Sequence, residues 1–322
     1  MKGINFLTDE NGQKTAVVID IQTYGEKLQD FLNGLEAESW RDEPIEDFNT
    51  VIERIQADKQ DMNLVSDSIE TQEPRAKLMN DQLIRLYNDF LPKINKHIVN
   101  CIEACNWTPD SISKVFLMHV SDEYVSSKVK IMFVGSETHG WSQHHESDNT
   151  LFLTEFYKSV SKSGNHFNSP FWWFRSDFSS AMGVEDFMKA TLWTNLSKID
   201  VDKGKPEGSE FGELSQLFIK ILIAEIAIVK PDILLIMTVD GHYKWHINNY
   251  NWMLNETFST MTKPSGIKRN SLSNSKIDRL VVKGLLPQNS FQFQHPNSLR
   301  FVKGGYKRHA NDIIKTIKDS LF

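Results

Sequence analysis

Four short apolar runs in this chain each stop abruptly at side chains capable of chemistry. Ile131-Met132-Phe133-Val134 runs into Gly135-Ser136-Glu137-Thr138-His139-Gly140-Trp141, and Thr191-Leu192-Trp193-Thr194 runs into Asn195. Ile233-Leu234-Leu235-Ile236-Met237 leads to Asp240, Gly241 and His242, and Ser290-Phe291-Gln292-Phe293-Gln294 leads to His295-Pro296-Asn297. Apolar runs of this length predict strands buried on both faces of a parallel sheet. In such sheets ligands bind beyond the carboxyl ends of the strands, where these polar residues would stand. Helical periods separate the runs. Leu78 to Ala104 carries Leu83, Leu86, Tyr87, Phe90, Leu91, Ile94, Ile98 and Ile102; Phe211 to Val229 is a long apolar helix; Asn311 to Leu321 closes the chain. Val115 to Val120 has the composition of an extra strand, and Phe171-Trp172-Trp173-Phe174 is an aromatic cluster expected to pack in the core. Strands alternating with helices predict an α/β fold: a three-layer sandwich around a central, mostly parallel sheet of four to five strands.

The first part of the chain follows another rhythm. Residues 4–23 alternate as a hairpin with Asn11-Gly12 at its turn. Amphipathic helices are predicted at Tyr24 to Leu35, with Leu28, Phe31, Leu32 and Leu35 on one stripe, and at Glu43 to Ala57, with Ile45, Phe48, Ile52 and Ile55. The polar, aperiodic stretch that follows reads as a linker. The expected organisation is therefore a hairpin and helix module over residues 1–60, a linker over 61–75, and an α/β domain over 76–322. The run T-D-E-N-G-Q-K-T-A-V-V-I-D-I-Q-T-Y resembles the small dimerising antitoxins of bacterial toxin-antitoxin pairs. That resemblance implies an association module and a homodimer formed through it; the alternative is a cap packed on the larger domain.

Charge divides the same way. The net charge is −6, yet residues 1–75 hold 17 acids against 7 bases, while the last sixty residues hold 12 Lys and Arg against 3 Asp. A basic end on an acidic protein suggests a face for a polyanion such as DNA. No stretch reaches 18 uninterrupted apolar residues and the amino terminus is polar, so the expectation is a cytoplasmic protein with no membrane segment. Cys101 and Cys105 are too few for a four-cysteine cluster and read as buried thiols. His139, His144, His145 and Glu146 lack the regular spacing of metal ligands and read as a solvated loop, so no metal or other cofactor is expected.

Taken together, G-S-E-T-H-G-W, L-W-T-N-L-S-K, P-D-I-L-L-I-M-T and H-P-N-S-L resemble, in order and spacing, the motifs of the uracil-DNA glycosylase superfamily over residues 76–322. The resemblance implies an enzyme that binds DNA, flips out a pyrimidine and hydrolyses its glycosidic bond, leaving an abasic site. Glu137 would position water and stabilise the cationic sugar, Asn195 would offer donor and acceptor to the base edge, and His295 would donate to a base oxygen as charge develops. Ser136, His139, Trp141 and Phe152 would line the base pocket with Asn195, Trp141 and Phe152 being alternatives for the stacking ring. Asn297, Ser298, Leu299, Arg300, Lys303, Lys307 and Arg308 would meet the DNA, Ser298 at a phosphate and Leu299 as an apolar wedge.

Two departures from the family's first motif matter. His139 replaces a tyrosine that abuts carbon 5 of the pyrimidine, and Thr138 replaces a proline. A smaller, polar ring would admit and hydrogen-bond a 5-substituent, so a 5-modified pyrimidine, such as hydroxymethylated or glucosylated cytosine of viral DNA, is expected in preference to uracil. The alternatives are a uracil-DNA glycosylase of base-excision repair and a catalytically inactive DNA-binding regulator.

Overall fold

The computed structural model describes residues 4–8, 14–19, 75–105, 107–141, 149–162, 169–204, 206, 211–239, 268–272, 277–281, 286–301 and 304–321. The chain divides into two compact units, Met1–Asp47 and Phe48–Phe322. In the first, β1 (Ile4–Thr8) and β2 (Lys14–Ile19) pair antiparallel, Ile4 opposite Ile19, with a register irregularity between Leu7 and Thr8. The helices expected at 24–35 and 43–57 lie outside the described residues, as does the linker except for Arg75.

The second unit begins with α1 (Arg75–Cys105), a 31-residue helix that buries Leu83, Leu86, Tyr87, Phe90, Leu91, Ile94 and Cys101, much of the stripe its period predicts. Cys101 is buried and Cys105 half-buried, and both are thiols. Then come α2 (Asp122–Ser126), β3 (Ile131–Gly135), α3 (Thr150–Lys162), α4 (Pro170–Ala181), α5 (Phe187–Ala190) and β4 (Thr191–Asn195). The remaining elements are α6 (Phe211–Val229), β5 (Ile233–Val239), β6 (Lys268–Leu272), β7 (Ile277–Val281), β8 (Asn289–Gln294) and α7 (Gly305–Leu321).

The result is a mixed α/β fold around a central, mostly parallel sheet with strand order β4-β3-β5-β8-β7-β6. The four parallel strands are the four apolar runs. Every residue of β3 and β4 is buried, as a strand covered on both faces requires. The sheet has six strands rather than four to five because β7 and β6 add an antiparallel edge. Neither announces itself as an apolar run: β6 is Lys-Arg-Asn-Ser-Leu, and β7 buries only Ile277 and Leu280. The closing helix begins at Gly305, six residues before the expected Asn311, and buries Ala310, Ile313, Ile314 and Ile317. Among the described residues no helix is long and apolar enough to cross a membrane.

No strand forms at Val115–Val120, although its side chains are almost all buried. The segment takes one backbone bond from the stretch after β4, Phe116 N–H to Lys198 O at 2.7 Å. Its next donors go to side chains of α1: Met118 N–H to the Tyr87 hydroxyl at 3.2 Å and Val120 N–H to Asn80 Oδ1 at 2.8 Å. Buried backbone donors must be satisfied, and here helix side chains do what a neighbouring strand would have done.

Candidate functional site

The parallel register brings the ends of β3 and β4 level, with Gly135 opposite Asn195. The two chains stay zipped past the strands: Leu196 N–H donates to Gly135 O at 3.0 Å and Ser197 N–H to Ser136 O at 2.8 Å. At the end of this ladder the Asn195 amide crosses over Gly135. A Cβ on Gly135 would fall 2.5 Å from Asn195 Oδ1 and 3.3 Å from Phe171 Cε2, so only glycine lets amide and ring close over the strand end. Asn195 is 6 % exposed, and its side-chain amide has no hydrogen-bond partner among the described residues. Among the described residues the fully enclosed side-chain atoms without a partner are Trp141 Nε1, Ser161 Oγ, Arg175 Nε and Nη1, Ser179 Oγ and Arg279 Nε; the Asn195 amide is not one of them, so its polar atoms keep a narrow opening to solvent.

Phe171 also lies parallel to the His295 ring, with centroids 5.9 Å apart and 13° between planes. His295 follows β8 and opens the 3-10 turn Pro296–Phe301. Asn297 N–H donates to its Nδ1 at 3.2 Å, so in the neutral ring the proton sits on Nε2, which becomes a donor. Gly135, Asn195, Phe171 and His295 thus form one contiguous group at the carboxyl edge of the sheet. Ser136 and Glu137, both half-buried, follow directly from β3.

The rest of that loop is held by a buried carboxylate. Asp200, fully buried, accepts from Thr138 Oγ1–H at 2.6 Å and Gly140 N–H at 2.8 Å through Oδ2, and from Lys203 N–H at 3.0 Å through Oδ1. The turn it caps keeps Asp202 and Lys203 at positive φ, 52° and 62°. That conformation costs non-glycine residues energy and persists because the surroundings impose it. The exposed His139 leans on the same turn, Nδ1–H donating to Lys203 O at 2.6 Å, which leaves Nε2 as an acceptor.

Other residues expected at the site lie in different surroundings. Trp141 is 8 % exposed and sits among Phe116, Phe156, Tyr157 and Trp193, with centroids 4.7 to 6.4 Å away, so it is core and offers no open face. Leu299 is 2 % exposed and cannot act as a wedge from this position. Ser298 is buried and its hydroxyl donates to His295 O at 2.6 Å, so that proton braces the turn and does not face a phosphate. Phe152, half-buried in the first turn of α3, stacks on Phe156. Asn297, Lys307 and Arg308 are exposed, whereas the side chains of Arg300 and Lys303 lie outside the described residues. Asp240, Gly241, His242, His144, His145 and Glu146 also lie outside them.

Three features escaped the sequence reading. The first is Phe171: once Pro170 is recognised as the first residue of α4, Phe171, Phe174 and Phe178 fall on one helical stripe. Phe174 and Phe178 pack on Phe293 and Phe133 of the sheet, leaving Phe171 at the strand ends. The second is a fully buried ion pair, Lys198–Glu225, whose Nζ–H groups donate to the two carboxylate oxygens at 2.9 and 2.7 Å. Burial lowers the Lys198 pKa, against the opposing pull of Glu225.

The third is Arg175 on α4, fully buried, donating to Thr191 Oγ1 at 3.0 Å with its guanidinium 4.7 Å from the Trp172 ring and 4.8 Å from that of Trp193. Burial pushes it down to about 9, with Tyr157 pulling the other way. Its folded value is the lower one, so the unfolded chain binds the extra proton, and this group's contribution to stability rises with pH from about 9 up to the ordinary arginine range. Urea unfolding across that window should show wild type gaining on Arg175→Met. Parallel pH curves for the two proteins would show that the guanidinium keeps its ordinary affinity for the proton.

Compared with protein-family models and with curated proteins, the chain matches none.

Proposed function

We propose that the Phe48–Phe322 unit is a DNA glycosylase that flips a pyrimidine out of the helix and hydrolyses its glycosidic bond. The observation that carries this reading is the Asn195 amide over Gly135, which bonds to none of the described residues, beside a stacking ring (Phe171) and an imidazole, His295, that carries its proton on Nε2. An amide donor and acceptor, an aromatic face and a neutral imidazole donor match the polar edge, the π-face and the carbonyl oxygen of a pyrimidine. Phe171 takes the stacking role in place of Trp141. The three-layer arrangement fits as well. The connections β3 to β4 and β4 to β5 run in opposite directions along the sheet, and right-handed crossovers then cover opposite faces.

Glu137 is the water-positioning carboxylate in this scheme. Glu137→Gln should keep the fold and DNA affinity while lowering excision by about 10²-fold or more, the scale of a lost acid-base group. Excision at the wild-type rate would remove Glu137 from the mechanism. His139, with Nε2 left as an acceptor, suits a substituent on carbon 5 that can donate, such as a hydroxymethyl or sugar hydroxyl. A 5-modified pyrimidine is therefore preferred to uracil, and base-excision repair of uracil is the second reading. DNA would be gripped by the basic carboxyl-terminal face, where Lys307 and Arg308 are exposed at the start of α7. Neutralising both should flatten the log-log salt dependence of DNA binding by about 0.9 for each phosphate that no longer meets a cation. An unchanged slope would put the DNA elsewhere. The hairpin unit is read as an association module forming a homodimer.

The deciding experiment incubates the protein with oligonucleotides carrying uracil, 5-hydroxymethylcytosine or glucosylated hydroxymethylcytosine and scores abasic sites. Release of a modified base supports the full reading, and release of uracil alone supports repair. Release of none, with binding retained, leaves the inactive regulator.

A further inference from the structure

We infer that the buried Lys198–Glu225 pair is a positioning device for Asn195, fixing the angle at which its amide meets a ligand. The inference rests on reading Asn195 as a ligand-facing amide. Both ion-pair side chains are 0 % exposed. Lys198 Nζ also donates to Thr194 Oγ1, and Thr194 in turn donates to Glu225 Oε2 at 3.0 Å. The Tyr87 hydroxyl closes the network, donating to Glu225 Oε1 at 2.9 Å while accepting from Met118 N–H. Helix α1, the end of β4 and the turn after it therefore meet at one carboxylate of helix α6, and the buried segment before β3 joins through Tyr87.

Stability does not account for this arrangement. A buried ion pair can often be replaced by apolar residues without loss, and the helical neighbours of Glu225, such as Leu222, Ala224 and Ile226, are buried and apolar. The position of the pair is more telling. Thr194 immediately precedes Asn195 and Lys198 follows three residues later, so the Lys198 tether ties the 195–198 turn back on its own strand. The Asn195 amide has no hydrogen bond of its own, and its direction is inherited from that backbone. The two ladder bonds to Gly135 and Ser136 fix one side of the turn, and Lys198 fixes the other.

The test is the double variant Lys198→Met, Glu225→Gln. The glutamine can still accept from Tyr87 and donate to Thr194, so both hydroxyls keep a hydrogen bond to residue 225 while the charge and the tether go. The thermal midpoint should stay close to that of wild type and the affinity for DNA should be kept. Single-turnover excision should fall about tenfold or more, the scale of a misplaced substrate-binding group, and the Asn195 side-chain amide should shift in nitrogen-proton NMR spectra. Wild-type excision with unmoved Asn195 signals overturns the inference. If the double variant does not fold, Thr194→Val, which keeps the ion pair, carries the same expectation with a several-fold fall, and wild-type behaviour there overturns it equally. If wild-type protein itself releases no pyrimidine, it is the glycosylase reading that has failed, and the Asn195 signals alone decide the positioning role.

Discussion

Asn195→Ala is expected to lower base excision by about 10²- to 10³-fold, the range for losing one preorganised hydrogen-bonding group at a reacting centre, while the fold keeps its stability. The two halves of this expectation have one cause. The amide bonds to none of the described residues and is not among the fully enclosed unpaired groups, so the fold draws no hydrogen bond from it and leaves it open to a ligand. Truncation breaks no hydrogen bond of the fold and leaves only a small void against Phe171 and Gly135, so stability should change by less than about 1 kcal/mol. Urea unfolding and single-turnover excision on the same proteins give both numbers. Unimpaired excision by Asn195→Ala would end the base-reading role, and a loss of several kcal/mol would mean that the amide holds the fold.

How much of this was legible in the sequence depended on whether a residue's role is local. The four parallel strands follow from unbroken apolar runs, because a strand covered on both faces has no polar face to show. Their polar ends follow too, since Gly135 and Asn195 terminate β3 and β4 as the run lengths imply. The β6-β7 edge was not legible, because an antiparallel edge strand can be as polar as Lys-Arg-Asn-Ser. Val115–Val120 misled for a different reason: its composition suits a strand, but whether a ladder forms depends on what lies beside it, and Asn80 and Tyr87 of a distant helix took its donors. Trp141 sits in the first motif by sequence and in the aromatic core by structure, and nothing in the motif distinguishes the two. Phe171 was the opposite case. It belonged to a cluster read as core, and only the start of α4 at Pro170 reveals that one of its rings reaches the strand ends. The Lys198–Glu225 pair joins a turn to a helix across 27 residues and leaves no periodic signal at all.

That pair carries the other large expectation. Lys198→Met alone should destabilise the protein by about 3–5 kcal/mol, because it leaves a buried carboxylate without its cation. The remaining groups cannot make up the loss. Tyr87 and Thr194 each already donate one hydrogen bond to Glu225, and neither carries charge. Water has no route to the carboxylate while the side chain stays 0 % exposed, short of local opening. Adding Glu225→Gln in the same chain removes the stranded charge, and most of the lost stability should return, so the two substitutions together cost far less than the sum of the single ones. Urea unfolding of the wild type, both single variants and the double variant yields the coupling between the two side chains directly. A mild effect of Lys198→Met, below about 1 kcal/mol on the scale of exposed pairs, would show that Glu225 is reached by solvent and that the network under Asn195 is looser than its geometry implies.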